Sequence, residues 1–329
     1  MIVARARCDN TFGFIDSADN WIVPPRFLAT GDFDPVGRAM ARSKSGQWHL
    51  IDRTGAEIGL LPDISATGPP AEGAFPIEWK GKWGFLDGNG NKMLEPRFGA
   101  AGARFVGSDL MRFTGGQAAV LAPIASHAGS HALGLIDTKG KWIIDAEPFY
   151  IGYGEGSLVT DCRDIPEPGE PPWGFDFRPF GVLRGPEIRI PFSNADQVRA
   201  ARGGLIPFAK TECLDRNLID YMPPEELEAH KLRWGLLGYD GRIVTSPTHD
   251  EIQYPAGGFC AVQSGGLWGF ISLAEKPGIE ARYREVKPFS NGLSAVSDDS
   301  GKWGFIDEKG DWAVQPEFEE VGPFVKLTN

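Results

Sequence analysis

A six-residue string that recurs through the chain constrains its fold more than any other feature. Lys302 to Asp307 reads Lys-Trp-Gly-Phe-Ile-Asp, and Lys82 to Asp87 repeats it with Leu86 in place of isoleucine. Weaker copies begin at Phe12, Trp48, Leu133, Trp173, Trp234 and Trp268. A chain that repeats one short unit must bury its core by stacking the units, so the repeat specifies an architecture and hardly any chemistry.

The residues of one copy predict a strand that is buried on both faces. Because side chains alternate along a strand, Trp303 and Phe305 share one face while Gly304 and Ile306 share the other. Large apolar residues on both faces require a neighbouring unit on each side. The recurring glycine predicts close approach by a neighbouring backbone or ring. We therefore interpret the tryptophans as core residues and not as a ligand cage.

Each unit is predicted to contain three or four short strands joined by tight turns. In the last unit, the strands are Leu293–Val296, Lys302–Asp307 and Asp311–Val314, and Phe318–Phe324 leads onward as a candidate fourth strand. The repeat runs from end to end, so residues 1–329 are predicted to form one domain. Its units begin near residues 1, 38, 75, 117, 156, 203, 258 and 292.

The strings Lys82–Asp87 with Gly90 and Lys302–Asp307 with Gly310 resemble WG (or KWG) repeats. The resemblance covers essentially the whole chain, although His49 replaces the glycine of unit two and Asp176 breaks the pattern of unit five. It implies a β-rich bacterial repeat module without general catalytic residues. It therefore supplies no active site.

We expect an all-β fold of eight repeats arranged in a propeller-like ring, because eight lies within the usual range of blade numbers. An open β-superhelix or solenoid is the alternative. Two observations favour that alternative: the units are shorter than usual blades, and no strand near Asn329 is recognised that would complete the first unit.

Three consecutive units are enlarged at one topological place. The first positions of the eight copies are separated by 36, 35, 50, 40, 61, 34 and 35 residues. The extra length falls in the hairpin between first and second strands, at Ala122–Ala132, Asp161–Pro172 and Lys210–Lys231. Insertions on one face of a repeat protein typically mark its binding face, whereas neutral drift in tolerant loops is the alternative.

The third insertion also contains a helix signal. Pro223 and Pro224 precede Glu225–Lys231, a segment that is acidic first and basic last, and we predict a short helix there. The candidate binding surface on the three insertions comprises His127, His131, Arg163, Glu167, Tyr221, Glu225, Glu226 and His230.

The sequence offers no recognisable catalytic set, and we predict no cofactor and no metal. His127 and His131 lie four residues apart, but the segment between them reads as a flexible loop without a third ligand. Asp87–Asn91 begins like a calcium loop, yet Lys92 replaces the required glycine, so we interpret it as a hairpin turn. The aspartates that end the motif strand are predicted to cap the following turns. An enzymatic function is therefore unsupported.

Composition narrows the choice of partner. A net charge of −11 and a pI of 5.0 disfavour nucleic acid and anionic membranes, and favour a neutral or basic protein such as a basic toxin or effector. The start of the chain has no apolar signal region, and no apolar run is long enough to span a membrane. The four cysteines are far apart and are predicted to be free thiols. We expect a cytoplasmic protein.

We therefore hypothesise a non-enzymatic protein-binding or scaffold module that uses the enlarged loops of units four to six. Two other classes stay open. One is an immunity protein that neutralises a bacterial toxin by occluding it. The other is a carbohydrate-binding repeat protein, which exposed aromatic residues at loop tips would favour.

Burial of the motif tryptophan is testable by truncation. Trp303→Ala and Trp83→Ala are each expected to lower the free energy of unfolding by about 3–5 kcal/mol, as large-to-small core substitutions do. Chemical denaturation of both variants checks the prediction. An unfolding midpoint equal to that of the wild type would contradict burial at that position.

Overall fold

The structure, a computed structural model, describes most of the chain and contains only β-strands in the described part. The described residues are 1–61, 63–99, 110–123, 131–147, 150–154, 157–160, 180–184, 187–192, 197–199, 202, 204–211, 232–238 and 241–328. The predicted helix Glu225–Lys231 lies outside them. Over the described ranges no helix is present, so the all-β expectation is confirmed.

The strands of the first four sheets follow the chain in order. They are β1 (Ile2–Cys8), β2 (Thr11–Asp16) and β3 (Trp21–Phe27) in sheet one; β4 (Ala29–Thr30), β5 (Ala39–Arg42), β6 (Trp48–Ile51) and β7 (Glu57–Leu61) in sheet two; β8 (Ile64–Thr67), β9 (Phe75–Trp79), β10 (Lys82–Leu86) and β11 (Lys92–Phe98) in sheet three; β12 (Phe113–Thr114), β13 (Gln117–Pro123), β14 (His131–Asp137) and β15 (Trp142–Glu147) in sheet four.

The second half of the chain repeats this order. It contains β16 (Tyr150–Gly154), β17 (Ser157–Thr160), β18 (Phe180–Arg184) and β19 (Glu187–Phe192) in sheet five; β20 (Gln197–Val198), β21 (Leu205–Thr211), β22 (Leu232–Gly238) and β23 (Ile243–His249) in sheet six; β24 (Glu251–Ile252), β25 (Phe259–Ser264), β26 (Leu267–Ser272) and β27 (Ile279–Tyr283) in sheet seven; β28 (Leu293–Ser297), β29 (Trp303–Asp307) and β30 (Trp312–Phe318) in sheet eight; and finally β31 (Glu320–Val321) and β32 (Val325–Lys326).

The described residues thus form eight small antiparallel sheets in a β-propeller arrangement. We call the four strands of a sheet a, b, c and d, where c carries the Trp-Gly motif and a is a short edge strand. The chain enters sheets two to seven at the a strand, whereas sheet eight contains only b, c and d, with an isolated bridge between Val286 and Val296 at the position of strand a. A sequence unit that starts at a b strand therefore ends with the a strand of the next sheet, which is where Phe318–Phe324 leads.

The C-terminal strands close the array onto its beginning. β31 pairs with Ala6 and Arg7 of β1, and β32 pairs with Ile2 and Val3 of the same strand. The expectation that no strand near the C-terminus completes the first unit is therefore wrong, and it fails because strands of two residues carry no readable periodicity. The closure also overturns the open superhelix, which would leave an unpaired edge at each end.

The motif glycine faces a bulge in strand d. In sheet eight Trp303 pairs with Phe318 and Phe305 with Val314, so three residues of β30 lie opposite Gly304 alone. A Cβ at Gly304 would lie 2.6 Å from the carbonyl oxygen of Val314, which confirms the predicted close approach. A Cβ would also come within 3.0 Å of backbone atoms at Gly13, Gly84, Gly134, Gly235 and Gly269.

Sheet two shows the converse. His49 occupies the glycine position there and pairs with Leu60, while Trp48 pairs with Leu61 in continuous register. The d strand has no bulge at this point, so the position can hold a side chain. The motif glycine and the bulge in strand d therefore occur together, because the bulged backbone leaves room only for a residue without a side chain.

Aromatic pairs join successive sheets. The phenylalanine at the third motif position packs against a phenylalanine of the following sheet, which precedes strand b in three pairs and lies between β31 and β32 in the fourth. The ring centroids are 4.1, 4.9, 4.9 and 4.5 Å apart in the pairs Phe14–Phe33, Phe85–Phe113, Phe270–Phe289 and Phe305–Phe324. All eight rings are almost fully buried. The predicted core made by stacking is therefore built largely from these contacts between sheets.

A second contact joins the outer strands. The guanidinium of an arginine on strand d donates a hydrogen bond to the carbonyl oxygen of the turn glycine between strands c and d of the next sheet. The Nη2···O distances are 2.5, 2.7 and 2.8 Å for Arg26–Gly55, Arg97–Gly140 and Arg282–Gly310. These turn glycines have φ between 76° and 87°, which explains their recurrence.

In sheet five the motif strand begins later in the chain than the sequence pattern predicts. The fifth copy was placed at Trp173, but the c strand that pairs with β17 is β18, which reads Phe-Gly-Val-Leu-Arg from Phe180. Gly181 pairs with Pro191 of β19. Trp173 lies outside the described residues, and its Trp-Gly-Phe string misled the alignment.

The motif tryptophans are buried to different degrees. Trp303 is 9% exposed, and Trp48 and Trp234 are buried. Trp83 and Trp268 are only partly buried, at the margins of the core clusters that they contact. Truncation of Trp83 is therefore expected to cost less than truncation of Trp303.

The bulge makes a matched pair of glycine variants informative. Gly304→Ala places a methyl group against the backbone of β30 and is expected to lower the free energy of unfolding by about 1–3 kcal/mol or more. Gly59→Ala, on strand β7, meets no atom within 4 Å and is expected to be neutral or slightly stabilising. Urea denaturation compares the two. Equal destabilisation would show that the packing against Gly304 is unimportant.

Candidate functional site

The three enlarged connections all join strand b to strand c. Residues 124–130 connect β13 to β14, 161–179 connect β17 to β18, and 212–231 connect β21 to β22. Since strands b of successive sheets run in the same direction, these connections leave the array on one face. We call this face, with the b–c hairpins of every sheet, the loop face. The prediction that the insertions share one topological place is confirmed.

The sequence-predicted site residues fall almost entirely on the undescribed parts of these connections. His131 is the first residue of β14, and its backbone pairs with Pro123. The remaining candidates lie outside the described residues: His127, Arg163, Glu167, Tyr221, Glu225, Glu226 and His230. The structure therefore brings none of these side chains into a described site, and they remain predictions.

The strands beneath the insertions are regular to their last pair. In sheet four the b–c ladder runs without a shift from Gln117–Asp137 to Pro123–His131. In sheet six the ladder ends at Thr211–Leu232, the pair that directly flanks residues 212–231. Each insertion therefore leaves from a completed hairpin and needs no distortion of the sheet.

A described part of the loop face was missed by sequence reasoning. The b–c hairpin of sheet three carries Trp79, with Lys80 Nζ at 4.5 Å and Lys92 Nζ at 5.5 Å from the ring centroid. Lys80 and Lys82 are exposed. The available signal was the four-residue string Trp-Lys-Gly-Lys, which stands directly before a Trp-Gly copy.

The a strands meet one another at the opposite edge of the sheets. A side chain just after one a strand, or after the Val286 bridge that takes its place in sheet eight, donates to the backbone carbonyl at the same position of the next sheet. The pairs are Arg199 Nη1 to Ile252, Gln253 Nε2 to Val286 and Lys287 Nζ to Val321. The donor–acceptor distances are 2.5, 3.1 and 2.5 Å. These links join sheets six, seven, eight and one.

Charged side chains converge beside the closing strands. Arg5 Nε lies 2.9 Å from Asp32 Oδ1, and Arg5 Nη1 donates to the carbonyl oxygen of Thr30 at 3.0 Å. Desolvation raises the pKa of Asp32, although the positive charges of Arg5, Lys287 and Arg112 act to lower it. Sheets one, two, four and eight contribute to this cluster, so the a strands surround a common axis.

The cluster has a structural explanation. Burial, with the like charge of Arg5, lowers the pKa of Lys287. Gly322 leaves the space that Arg5 and Asp32 occupy, since a Cβ there would lie 2.3 Å from Asp32 Oδ1. Arg5 belongs to β1 and Lys287 contacts the carbonyl of β31. These contacts hold the closing seam, and they account for the charges without a ligand.

The recurrent aspartates cap turns, as predicted. Asp16 Oδ1 accepts hydrogen bonds from the backbone amides of Ala18 and Asn20, each at 2.9 Å. The same pair of bonds is made by Asp52, Asp87, Asp137 and Asp307. Each carboxylate is used by its own turn, so these residues do not converge on a substrate. The prediction of a hairpin turn at Asp87–Asn91 is confirmed.

Cysteine and metal chemistry are limited in the described part. Cys8 and Cys260 are free thiols there, as predicted. Burial raises the pKa of Cys260 to about 12, which keeps it protonated. Among the described residues no three His, Cys, Asp or Glu side chains are grouped as metal ligands. The same residues include no helix that could cross a membrane.

Comparison with known proteins agrees with the repeat pattern. The family model of the WG-containing repeat matches residues 12–48, 134–147, 234–268, 268–302 and 303–326. WG-containing repeats therefore occur at five regions across the chain, which confirms the resemblance. No curated protein matches the chain.

Solved structures share the fold at low identity. A crystal structure of the eukaryotic initiation factor aligns with a TM-score of 0.53 and 12% identity, over 97% of this chain and 98% of that chain. The dihydro-heme d1 dehydrogenase NirN in complex with DHE has a TM-score of 0.49 at 10% identity, over 99% and 75%. BamB from Moraxella catarrhalis has 0.46 at 10%, over 89% and 92%. The first likeness shows the fold alone, and the other two are too weak to support an argument.

The turn caps predict a contribution to acid stability. Desolvation acts to raise the pKa values of Asp16, Asp52 and Asp87, but hydrogen bonds from backbone amides and from the side chains of Asn20, Thr54 and Asn91 outweigh it and lower them. A lowered folded-state pKa adds stability above the unfolded value of about 3.9, and this stability is lost as the pH falls through the folded value. The combined substitution Asp16→Asn, Asp52→Asn and Asp87→Asn is expected to reduce the decrease in unfolding free energy that the wild type shows between about pH 4 and pH 2.

Urea midpoints measured from pH 7 to pH 2 check this expectation. Asparagine keeps an oxygen that can accept the turn hydrogen bonds, so the variant isolates the ionisation from the cap itself. A variant with the same pH dependence as the wild type would contradict the assignment.

Proposed function

We propose that this chain, in which WG-containing repeats recur across its length, is a non-enzymatic protein-binding scaffold that engages its partner through the loop face of sheets four to six. One observation carries the proposal. Three consecutive sheets enlarge the same b–c connection, whereas the other five sheets keep this connection to a tight turn. Neighbouring long loops on one face of a rigid array form a continuous surface of the kind that repeat proteins use for recognition.

The array beneath these loops is suited to hold them. The buried phenylalanine pairs, the arginine contacts to turn glycines and the closing strands join the sheets of the described chain to one another. A rigid support lowers the entropy that a binding loop loses when it engages a partner. We take each sheet as one blade of a closed ring of eight, a reading that the eight sheets and the pairing of β31 with β1 support.

Charge supports a protein partner of neutral or basic character. The net charge of −11 opposes approach to polyanions such as nucleic acid, and it speeds encounter with a basic protein. The experiment below identifies the class of partner. One such class is a toxin that an immunity protein would occlude.

The largest insertion supplies the test. Residues 212–231 are replaced by Gly-Gly, so that Thr211 and Leu232 join through a two-residue turn like that of Ser264–Leu267. The fold should be retained, because shortening a loop changes the closure entropy by only about 0.6 kcal/mol per halving. Partner affinity should fall, because this deletion removes the largest departure from the basic unit. A partner is first identified by co-purification with the wild type, and its affinity for both proteins is then measured by calorimetry.

Melting temperatures distinguish a lost surface from a lost fold. Gly59→Ala, which touches neither the loop face nor a neighbouring atom, serves as the binding control. Unchanged affinity in the deletion variant would remove residues 212–231 from the binding surface. A deletion variant that no longer melts cooperatively would show that the insertion is part of the core.

A further inference from the structure

Three b–c hairpins of the loop face have the same two-residue turn. The turns are Asp9–Asn10 in sheet one, Lys80–Gly81 in sheet three and Gly265–Gly266 in sheet seven, and all six residues have φ between 48° and 82°. Two successive residues in this conformation form a type I′ turn, whose central amides point away from the hairpin and can bind an anion.

In two of the three turns the chain itself supplies that anion. Gly265 donates its amide hydrogen to Asp250 Oδ2 at 2.7 Å, and Asp250 also pairs with Arg233. In sheet one, Asn10 donates its amide hydrogen to Glu319 Oε2 at 3.3 Å, and Arg7 lies 3.2 Å from the same oxygen. Both carboxylates belong to the residue directly before the a strand of their own sheet. The two sheets therefore share one arrangement, in which a carboxylate contacts both a turn amide and a cationic side chain.

Sheet three has the turn and the cations but lacks the carboxylate. The residue directly before its a strand is Asp63, which has a φ of 66° and makes no hydrogen bond or ion pair within the described chain. Within those same ranges, no carboxylate accepts a hydrogen bond from the amide of Lys80 or Gly81. The side chain that fills this position in sheets one and seven is therefore missing here.

The surroundings of the empty turn suit a carboxylate from another molecule. Lys80 and Lys82 are exposed and form no ion pair with a described residue, whereas Lys92 is paired with Glu95 at 3.1 Å. Glu78, the nearest acidic residue in the hairpin, is hydrogen-bonded to Ser65 Oγ at 3.0 Å. Trp79 offers an aromatic surface that Lys80 already covers in part. Aromatic anchors beside unpaired cations are typical centres of protein interfaces.

We propose that the Trp79–Lys82 hairpin binds a carboxylate side chain of an acidic segment in a partner protein. The carboxylate accepts a hydrogen bond from the amide of Lys80 or of Gly81, since Asp250 accepts one from the first residue of its turn and Glu319 accepts one from the second. Lys80 and Lys82 supply the charge that arginines supply there. This inference rests on the proposed function as a protein-binding scaffold and names one contact of the loop face. It is compatible with a partner that is basic elsewhere, because it requires only a local acidic segment.

A defined peptide tests the hairpin without the natural partner. The acetylated, amidated hexaglutamate peptide is titrated into the ¹⁵N-labelled wild-type chain, with hexaglutamine as the uncharged probe. The amide resonances of Lys80 and Gly81 are expected to shift with hexaglutamate alone, and the affinity is expected to weaken as salt is raised. The double variant Lys80→Gln and Lys82→Gln is expected to bind at least about fivefold more weakly.

The matched control is the double variant Lys302→Gln and Lys309→Gln. Lys302 precedes the motif tryptophan of sheet eight as Lys82 does in sheet three, so the control removes the same charge elsewhere. It is expected to bind hexaglutamate like the wild type. Equal weakening in both variants, or peptide shifts that avoid Lys80 and Gly81, would overturn the proposal. Such a failure would leave the deletion of residues 212–231 as a separate test, since the peptide experiment keeps that loop intact.

Discussion

Packing between the phenylalanines of successive sheets is the contact on which the rest of the structure depends. The third motif residue of a c strand is covered by a ring from the following sheet, as Phe14 is covered by Phe33. A sheet of three or four short strands cannot bury such a ring by itself, so no sheet is stable alone. The last sheet meets the same requirement. Phe305 is covered by Phe324, and the segment that carries Phe324 continues into β32, which pairs with β1. The array is thus closed by the same kind of phenylalanine contact that joins the earlier sheets.

The glycine and the proline of the repeat act together to bring strand d close to strand c. Where the glycine is present, as at Gly304, strand d bulges toward it and places Pro316 at the crest, where no amide is needed for the ladder. Where His49 takes its place, strand d lies opposite it in continuous register, and the register shift of this pair of strands falls further along, between Leu50 and Ile51. The same strand d carries the arginine that donates a hydrogen bond to the turn glycine of the next sheet in the pairs Arg26–Gly55 and Arg282–Gly310. One strand therefore combines the contact within its sheet with a contact to the next.

The sequence predicted those features that depend on periodic side chains, and missed those that depend on short backbone segments. The paired hairpins, the close approach to the motif glycine and the aspartate turn caps each follow from a residue type at a fixed position. Closure through β31 could not be seen, because two residues have no period and their pairing with Arg7 is set by the whole ring. The fifth copy was misplaced at Trp173 because a Trp-Gly string can occur in a connection, and only the pairing of β17 with β18 identifies the strand. The hairpin at Trp79 was missed because a partly exposed tryptophan has the same letter as a buried one.

These contacts divide the array into parts that tolerate change and parts that do not. The phenylalanine pairs, the turn glycines and the links between a strands involve the a–b and c–d connections and the inner strands. In the described ranges the b–c turns make few contacts with another sheet: Asp299 in the turn of sheet eight lies 3.7 Å from Arg284, which directly follows strand d of sheet seven, and carboxylates cover the turns at Asn10 and Gly265. A two-residue turn is sufficient to complete such a hairpin, and the ladder at Thr211–Leu232 is complete before its insertion begins. The loop face is therefore a place where sequence can be added or charge exposed with little loss of stability, which is the physical reason to look for function there.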